Sequence, residues 1–241
     1  MTEPKAVAVP GRVAAMAHVL SVNVGAPKPN PHKDVGTTGI DKLPVTEPVD
    51  VRAPGPKHGG QGSGLVGDFI GDRENHGGDD QAVYAYARED LDHWQRVLGR
   101  ELRSGSFGEN LTTIGVDVNG ARIGERWRIG STVLEVAVPR IPCSTFVGWL
   151  AERGWIKTFT RGALPGAYLR VVTPGQVRTG DEVVVLDRPD HDVTIALTFR
   201  ALTLEPDLLP KLLAADALPA GVRDRVRRRQ GYQLDDEAAQ D

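Results

Sequence analysis

Cys143 is the only cysteine in 241 residues, and it stands in Val-Pro-Arg-Ile-Pro-Cys-Ser-Thr-Phe, where a strand-like run ends between two prolines. A lone thiol cannot form an internal disulfide, so its value lies in packing, which the flanking prolines make the less attractive choice, in nucleophilicity or in metal ligation. A nucleophile needs a base or a cation to lower its pKa, and Arg140 lies three residues away, but spacing does not say whether it points at the sulfur. A thiolate is also a soft donor suited to a thiophilic metal centre. On residue types the two uses stay level.

Asp72-Arg73-Glu74-Asn75-His76-Gly77-Gly78 is the second group of interest. His76 can exchange a proton near neutrality, and two glycines after it let backbone approach a ligand closely. His58-Gly59-Gly60 repeats the pattern without charged residues so close by. No His-x-x-x-His or Cys-x-x-Cys pair is present, which argues against a structural zinc site. Gly62-Ser63-Gly64-Leu65-Val66-Gly67 has the spacing of a dinucleotide fingerprint, but neither a strand before it nor a helix after it is expected, so it reads as a turn-rich loop. Phe107-Gly108-Glu109-Asn110-Leu111 reads as a turn whose polar side chains satisfy nearby backbone. Arg223, Arg225, Arg227, Arg228 and Arg229 crowd one helix end, where they favour the macrodipole as a solvated face.

The elements that must hold these residues are short. Pro139 and Pro142 fix the backbone and remove two amide donors, so the chain leaves the sheet there and presents Cys143 from a stiff loop. Strands are expected at Ala17–Val24, near Val45, at Val49–Val51, Leu111–Thr113, Arg126–Ile129, Thr132–Val138, Tyr168–Val172 and Glu182–Leu186. Ala82–Tyr86 reads as a strand or the lead into a helix, and Ala87, Leu91, Trp94 and Leu98 recur at helical spacing up to Gly99. Ser144–Arg153 is expected to form one short helix closed by Gly154. After Pro189 three helices are expected: one around Ile195, Phe199 and Leu202, one from Pro206 through Leu213, and one from Pro219 through Arg229. Residues 1–16 and the acidic stretch 231–241 carry no such pattern and are expected to be disordered, with Met16 a second candidate for the natural start.

With 29 basic and 32 acidic side chains, a formal charge of −3 gives no general attraction to nucleic acid or to an anionic membrane. No apolar run approaches the roughly 18 residues that a bilayer span needs. A cytoplasmic protein is expected, and a lone thiol suits that compartment.

Taken in order, Thr38-Gly39-Ile40-Asp41-Lys42-Leu43-Pro44-Val45, Gly64-Leu65-Val66-Gly67-Asp68, the Asp72–Gly78 motif, Ala82–Tyr86, Phe107–Thr112, Ile123–Gly130 and Pro139–Cys143 resemble a MOSC domain, the module related to the C-terminal part of molybdenum cofactor sulfurases. The helical appendix resembles that of the family's YiiM-type branch. The resemblance implies an α+β, mainly β fold: a MOSC β-barrel over 17–190 with peripheral helices, then a three-helix unit over 191–230. It implies Cys143 as a molybdenum ligand beside the dithiolene of a molybdopterin. It makes Lys42, Arg73, His76, Asn110 and Arg140 candidates for holding the cofactor or the substrate, with His76 favoured as proton donor or substrate anchor.

The activity implied is reduction of N-hydroxylated substrates such as N-hydroxylaminopurines, with electrons from a separate flavin or iron–sulfur reductase, because one cysteine cannot hold a cluster. The alternative is a molybdenum cofactor carrier or sulfur-transfer module without its own turnover. Lys42 as a pyridoxal Schiff base is a distant third. The leucines of the helical unit fit three uses: covering the body, docking a donor or forming a homodimer contact. Two departures bear on substrate preference: Gln81 stands where the branch often has a lysine, and the Gly55–Gly64 passage is longer than usual.

Overall fold

The computed structural model describes residues 16–232 and 234. The expectations of disorder at residues 1–15 and beyond 234 lie outside the described residues. Among the described residues, short β-branched and aromatic runs between glycine turns form twelve strands, eight of them in one sheet. These eight are β1 (His18–Gly25), β4 (Lys42–Val45), β6 (Val83–Ala87), β7 (Leu111–Ile114), β8 (Arg126–Ile129), β9 (Thr132–Pro139), β10 (Ala167–Thr173) and β12 (Val183–Asp187). Their order is β12-β8-β9-β10-β6-β7-β1-β4, antiparallel except for the parallel pair β6–β7. Pairs of short strands, β2 (Lys28–Pro29) with β3 (Thr37–Thr38) and β5 (Val49–Val51) with β11 (Gly175–Val177), complete the β structure.

The sheet curls back on itself. A register shift between Val19 and Ser21 turns the start of β1 outward, and there Val19 N–H donates to Asp181 O (2.9 Å), Gly180 N–H to Val19 O and Val183 N–H to Ala17 O (both 2.8 Å). The chain entering β12 thereby seals one end of β1 while β4 covers the other, and the barrel closes through a bridge at His18 and Glu182 rather than a full ladder. Trp127, Ile129, Leu134, Val136, Leu169 and Val22 fill its interior.

Helix α1 (Arg88–Leu98) ends at Gly99, whose φ of 64° closes it, and buries Leu91 and Trp94 as their spacing requires. The stretch after Cys143 differs from the expected single helix. α2 (Ser144–Leu150) stops at Ala151, and Gly154 opens a second helix, α3 (Trp155–Gly162), instead of closing the first. Trp155, Ile156, Phe159 and Thr160 are buried along one face of α3. Trp94, Phe107, Phe146, Trp155 and Phe159 form an aromatic cluster with ring centroids 5.0–6.0 Å apart.

Of the three C-terminal helices, α4 (Ile195–Thr203) and α5 (Ala220–Arg227) are α-helical, but the middle one, Pro206–Ala214, is a 3-10 helix. Pro210 inside it lacks the amide that an α-helix would use, and its buried Leu209 and Leu212 are three apart, the spacing of a 3-10 face. Ile195, Leu202, Leu209, Leu212, Val222 and Val226 join the same apolar core as the barrel.

Candidate functional site

The strand β9 ends at Pro139, and residues 140–143 cross out of the sheet before α2 begins, so Cys143 is presented from a loop as its prolines required. It sits half-buried in a cleft of about 690 Å³, whose lining includes Lys42, Asp68, Asp72, His76, Tyr84, Asn110, Arg140 and Tyr168. Burial alone would raise the thiol pKa. The His76 side chain hydrogen-bonds to the sulfur, and the charges of His76 and Arg140 act with it, bringing the thiol down to about 6. These neighbours favour the thiolate over the thiol.

Arg140 is buried, with its guanidinium carbon 3.5 Å from the centre of the Phe146 ring. Its Nη1 is buried and has no hydrogen-bond acceptor among the described residues. A buried guanidinium donor without an acceptor is costly unless a bound group supplies one.

Across the cleft, the Lys42 ammonium is held by Asp68, with both side chains buried. Asp68 is a hub: it also accepts from Gly25 N (2.8 Å), Ser63 Oγ (2.7 Å) and Asn110 Nδ2 (2.9 Å). Asn110 in turn accepts from Tyr84 N (3.1 Å) and donates to Asn23 O (3.3 Å), tying β6, β7 and β1 together at the cleft wall. Glu109 beside it faces the other way and accepts from Gly105 N, Phe107 N and Thr112 Oγ1, the self-satisfied turn that its setting predicts. Burial raises its pKa, against the lowering effect of those bonds.

Four of the five polar residues expected around Cys143, namely Lys42, His76, Asn110 and Arg140, line the cleft with it. Arg73 does not. It is exposed on the outer side of its turn, where it donates to Gly60 O (3.3 Å), while its neighbour Asp72 faces the cleft and accepts from Lys33 Nζ (2.8 Å) and Asn75 Nδ2. The two glycines after His76 also serve a different end from ligand approach: at φ of 82° and 78° they admit the backbone of Gly62 and Lys57, and Gly78 N–H donates to Gly62 O (2.9 Å). The Gly62–Gly67 stretch is a loop bridged to Val51, with no helix after it.

Asp68, Tyr84 and Tyr168 are site residues that the sequence reading passed over. Asp68 ends the Gly64-Leu65-Val66-Gly67-Asp68 motif, where a carboxylate among glycines is the available signal; the tyrosines look like ordinary strand residues. Tyr168 packs on Tyr84, ring centroids 4.9 Å apart, and burial pushes its hydroxyl up to about 12, against the lowering charge of Arg140.

A thiolate, buried cations and amide donors around one cleft define a site for an anionic group that the cysteine ligates or attacks. The MOSC domain family model matches residues 72–184. The YflK protein of Bacillus subtilis, uncharacterized, is 30% identical over 183 residues, covering 76% of this chain and 79% of that protein. The crystal structure of YiiM from Geobacillus stearothermophilus superposes with a TM-score of 0.71 at 28% identity, over 88% of this chain and 98% of that one. A protein of Gibberella moniliformis named Reductase is 30% identical over 131 residues, 53% of this chain but 23% of its own length. The chain belongs to the MOSC domain family. Within it, the chain is similar to the YflK and YiiM proteins along most of its length.

MOSC domains are associated with the molybdenum cofactor, and the residues present fit such a group. No cluster of three or more His, Cys, Asp or Glu side chains able to hold a bare metal ion occurs among the described residues. A metal bound at Cys143 must then bring its other ligands with it, as a metal on a pterin dithiolene does. The unpaired Arg140 Nη1 offers such a group a fixed donor. No helix of the described residues is long and apolar enough to cross a membrane.

Proposed function

We propose that the protein is a molybdenum-cofactor-dependent reductase of N-hydroxylated compounds, acting on an N–O bond held over Cys143 and supplied with electrons by a separate flavin or iron–sulfur reductase. The observation that carries this reading is the pairing, in one cleft, of a thiol with a lowered pKa and a buried arginine donor that no group among the described residues satisfies. When bound, the cofactor supplies the two-electron reduction. The overall change is R–NH–OH plus two electrons and two protons to R–NH2 and water.

The protein's own work is positioning and proton delivery. Cys143 would hold the metal, with Arg140 and the Lys42–Asp68 pair fixing the charged parts of the cofactor. His76 lines the cleft with Cys143 and lowers the thiol pKa, so it is placed to give a proton to the departing oxygen. Tyr168 adds a hydroxyl to the same cleft and stays protonated at neutral pH. Lys42 serves poorly as a Schiff-base amine, because its nitrogen is committed to Asp68. Cytoplasmic location belongs to the same proposal.

The test is purification from a molybdenum-competent host, followed by metal analysis and assay of N-hydroxylaminopurine reduction with an artificial donor. Stoichiometric molybdenum with turnover, both lost in Cys143→Ala, is expected. Full metal loading without reduction of any N-hydroxylated compound would instead favour a cofactor carrier. Sulfur transfer from Cys143 in metal-free protein would favour the sulfur-handling reading.

A further inference from the structure

Behind His76 lies a second cleft, of about 1150 Å³, between the barrel and the C-terminal helices. It meets the Cys143 cleft at three side chains that line both, His76, Gln81 and Tyr168. Its wall is apolar on the barrel side, through Val138, Pro139 and Ile141, and on the helical side, through Leu202 and Val222. Tyr168 and Tyr232 add aromatic surface. Such a lining accepts a flat heterocycle.

The charges of this cleft are unbalanced. Lys57 Nζ donates to the Asn75 carbonyl (3.1 Å), and Arg225 Nη1 to the Gly231 carbonyl (3.0 Å) while its guanidinium lies 4.4 Å from the centre of the Tyr232 ring. Neither cation forms a salt bridge with a carboxylate among the described residues. Asp80, the one carboxylate of the lining, is already bonded to Arg170 at 2.5 Å. Two cations bonded to neutral carbonyls beside an apolar, aromatic wall suit a ligand that is planar at one end and anionic at the other.

We propose that this second cleft is the substrate cleft, and that the substrate class is an N-hydroxylated base carrying a phosphate, a nucleotide rather than a free base. The phosphate would lie between Lys57 and Arg225, the ring against the apolar wall, and the N–O group at the His76–Tyr168 junction facing Cys143. This rests on the reductase reading for its chemistry, but the binding claim stands on the cleft itself. The C-terminal helices then serve as half of a binding site as well as part of the core. Gln81 helps to shape the junction, since its Oε1 accepts from Gly77 N (3.0 Å), which a lysine at that position could not do.

Gly221 gives a clean test. It lines the cleft, and a Cβ built there meets nothing within 4 Å, so Gly221→Trp fills the cleft without a backbone clash. Binding to cofactor-free protein is measured by calorimetry with adenosine 5′-monophosphate, the amine product such a reaction would leave, and with adenosine and inorganic phosphate. The nucleotide is expected to bind at least about tenfold more tightly than either fragment, the order expected where a charged pair is formed. Lys57→Gln should remove most of that advantage. Gly221→Trp should weaken nucleotide binding by about tenfold or more, the equivalent of one lost contact group, while Gly221→Ala stays near wild type.

Equal binding of adenosine and its monophosphate, phosphate binding as tight as the nucleotide, or unchanged binding in Gly221→Trp with a native circular dichroism spectrum would each overturn the proposal. Turnover separates the two readings. A holoenzyme that reduces no N-hydroxyl compound defeats the reductase reading while the binding result stands. Reduction with wild-type KM in Gly221→Trp defeats the cleft assignment alone.

Discussion

At the scale of single residues, the Cys143–His76 contact sets the state of the sulfur. With the thiol brought to about 6, cofactor-free protein should react with iodoacetamide along a curve whose midpoint is near pH 6 and which falls away below it, as the thiolate takes up a proton. His76→Ala removes both the hydrogen bond and the charge, so the midpoint should move up toward the ordinary thiol range; an unmoved midpoint would show that His76 does not set the sulfur's state. Arg140 makes a different demand. Its buried Nη1 weighs against the stability of the empty protein, so Arg140→Met, similar in length and apolar, should leave the cofactor-free chain as stable or steadier by about 1 kcal/mol in urea melts while lowering its molybdenum content. Asp68 behaves oppositely. Asp68→Ala strands the buried Lys42 ammonium and three further donors, and a loss of about 3 to 5 kcal/mol is expected from the same melts.

At the scale of elements, the site depends on loops that touch backbone to backbone. A Cβ at Gly39 would run into the carbonyl of Phe69, and one at Gly25 into the carbonyl of Gly39, so the end of β1, the loop before β4 and the loop after Asp68 are stacked without side chains between them. Gly39→Ala should therefore push two cleft walls apart, costing about 1 to 3 kcal/mol of stability by analogy with overpacked cores and weakening cofactor retention more than Gly36→Ala, which meets nothing within 4 Å. The sequence made much of this scale legible where a local rule decides the outcome. Pro139 and Pro142 announced the exit from β9, Gly99 announced the end of α1, alternation located β1, and the Gly130-Ser131 turn marked the β8–β9 hairpin. It misled where one residue type serves two local purposes. Gly154 at φ 75° starts α3 as readily as it could end α2, and Leu208, Leu209, Leu212 and Leu213 match α-helical spacing until Pro210 is weighed as a missing donor. The site was legible as far as its motifs reached. The weight of Asp68 is not legible in the sequence because it lies in four donors, three of them from distant segments, and Arg73 stands outside the cleft because the direction of a side chain on a turn is fixed by the turn, not by its neighbours' chemistry.

At the scale of the whole molecule, three groups with displaced pKa values give stability a pH profile that composition does not suggest. Asp72 is lowered from 3.8 to about 2: burial opposes ionisation, but the bonds from Lys33 and Asn75 and the charge of Lys33 outweigh it. Its contribution is complete above about pH 4 and is lost as pH falls toward 2. Asp90 runs the other way, raised from 3.8 to about 6 by burial and by the charges of Asp117 and Glu89, against the bond from Asn119 Nδ2 (2.6 Å). Between those values the folded protein holds a proton that the unfolded chain releases, so stability falls as pH rises from about 4 to 6. Cys143 reverses the slope once more. Its thiol ionises at about 6 folded and at the ordinary thiol value of 9.0 unfolded, so stability of the cofactor-free protein rises with pH across that interval. The resulting curve should rise from pH 2 to 4, dip near 6 and climb toward 9. Asp90→Asn keeps an acceptor for Asn119 and removes the buried charge, so it should reduce the fall between pH 4 and 6, to which buried Glu109 also contributes, and raise stability at pH 7 by roughly 1 to 2 kcal/mol. Cys143→Ser should flatten the climb above pH 6 and leave the acid limb unchanged. Urea melts at half-unit pH steps separate the two, and a single smooth maximum with neither variant altering its shape would mean that these groups titrate as they do in the unfolded chain.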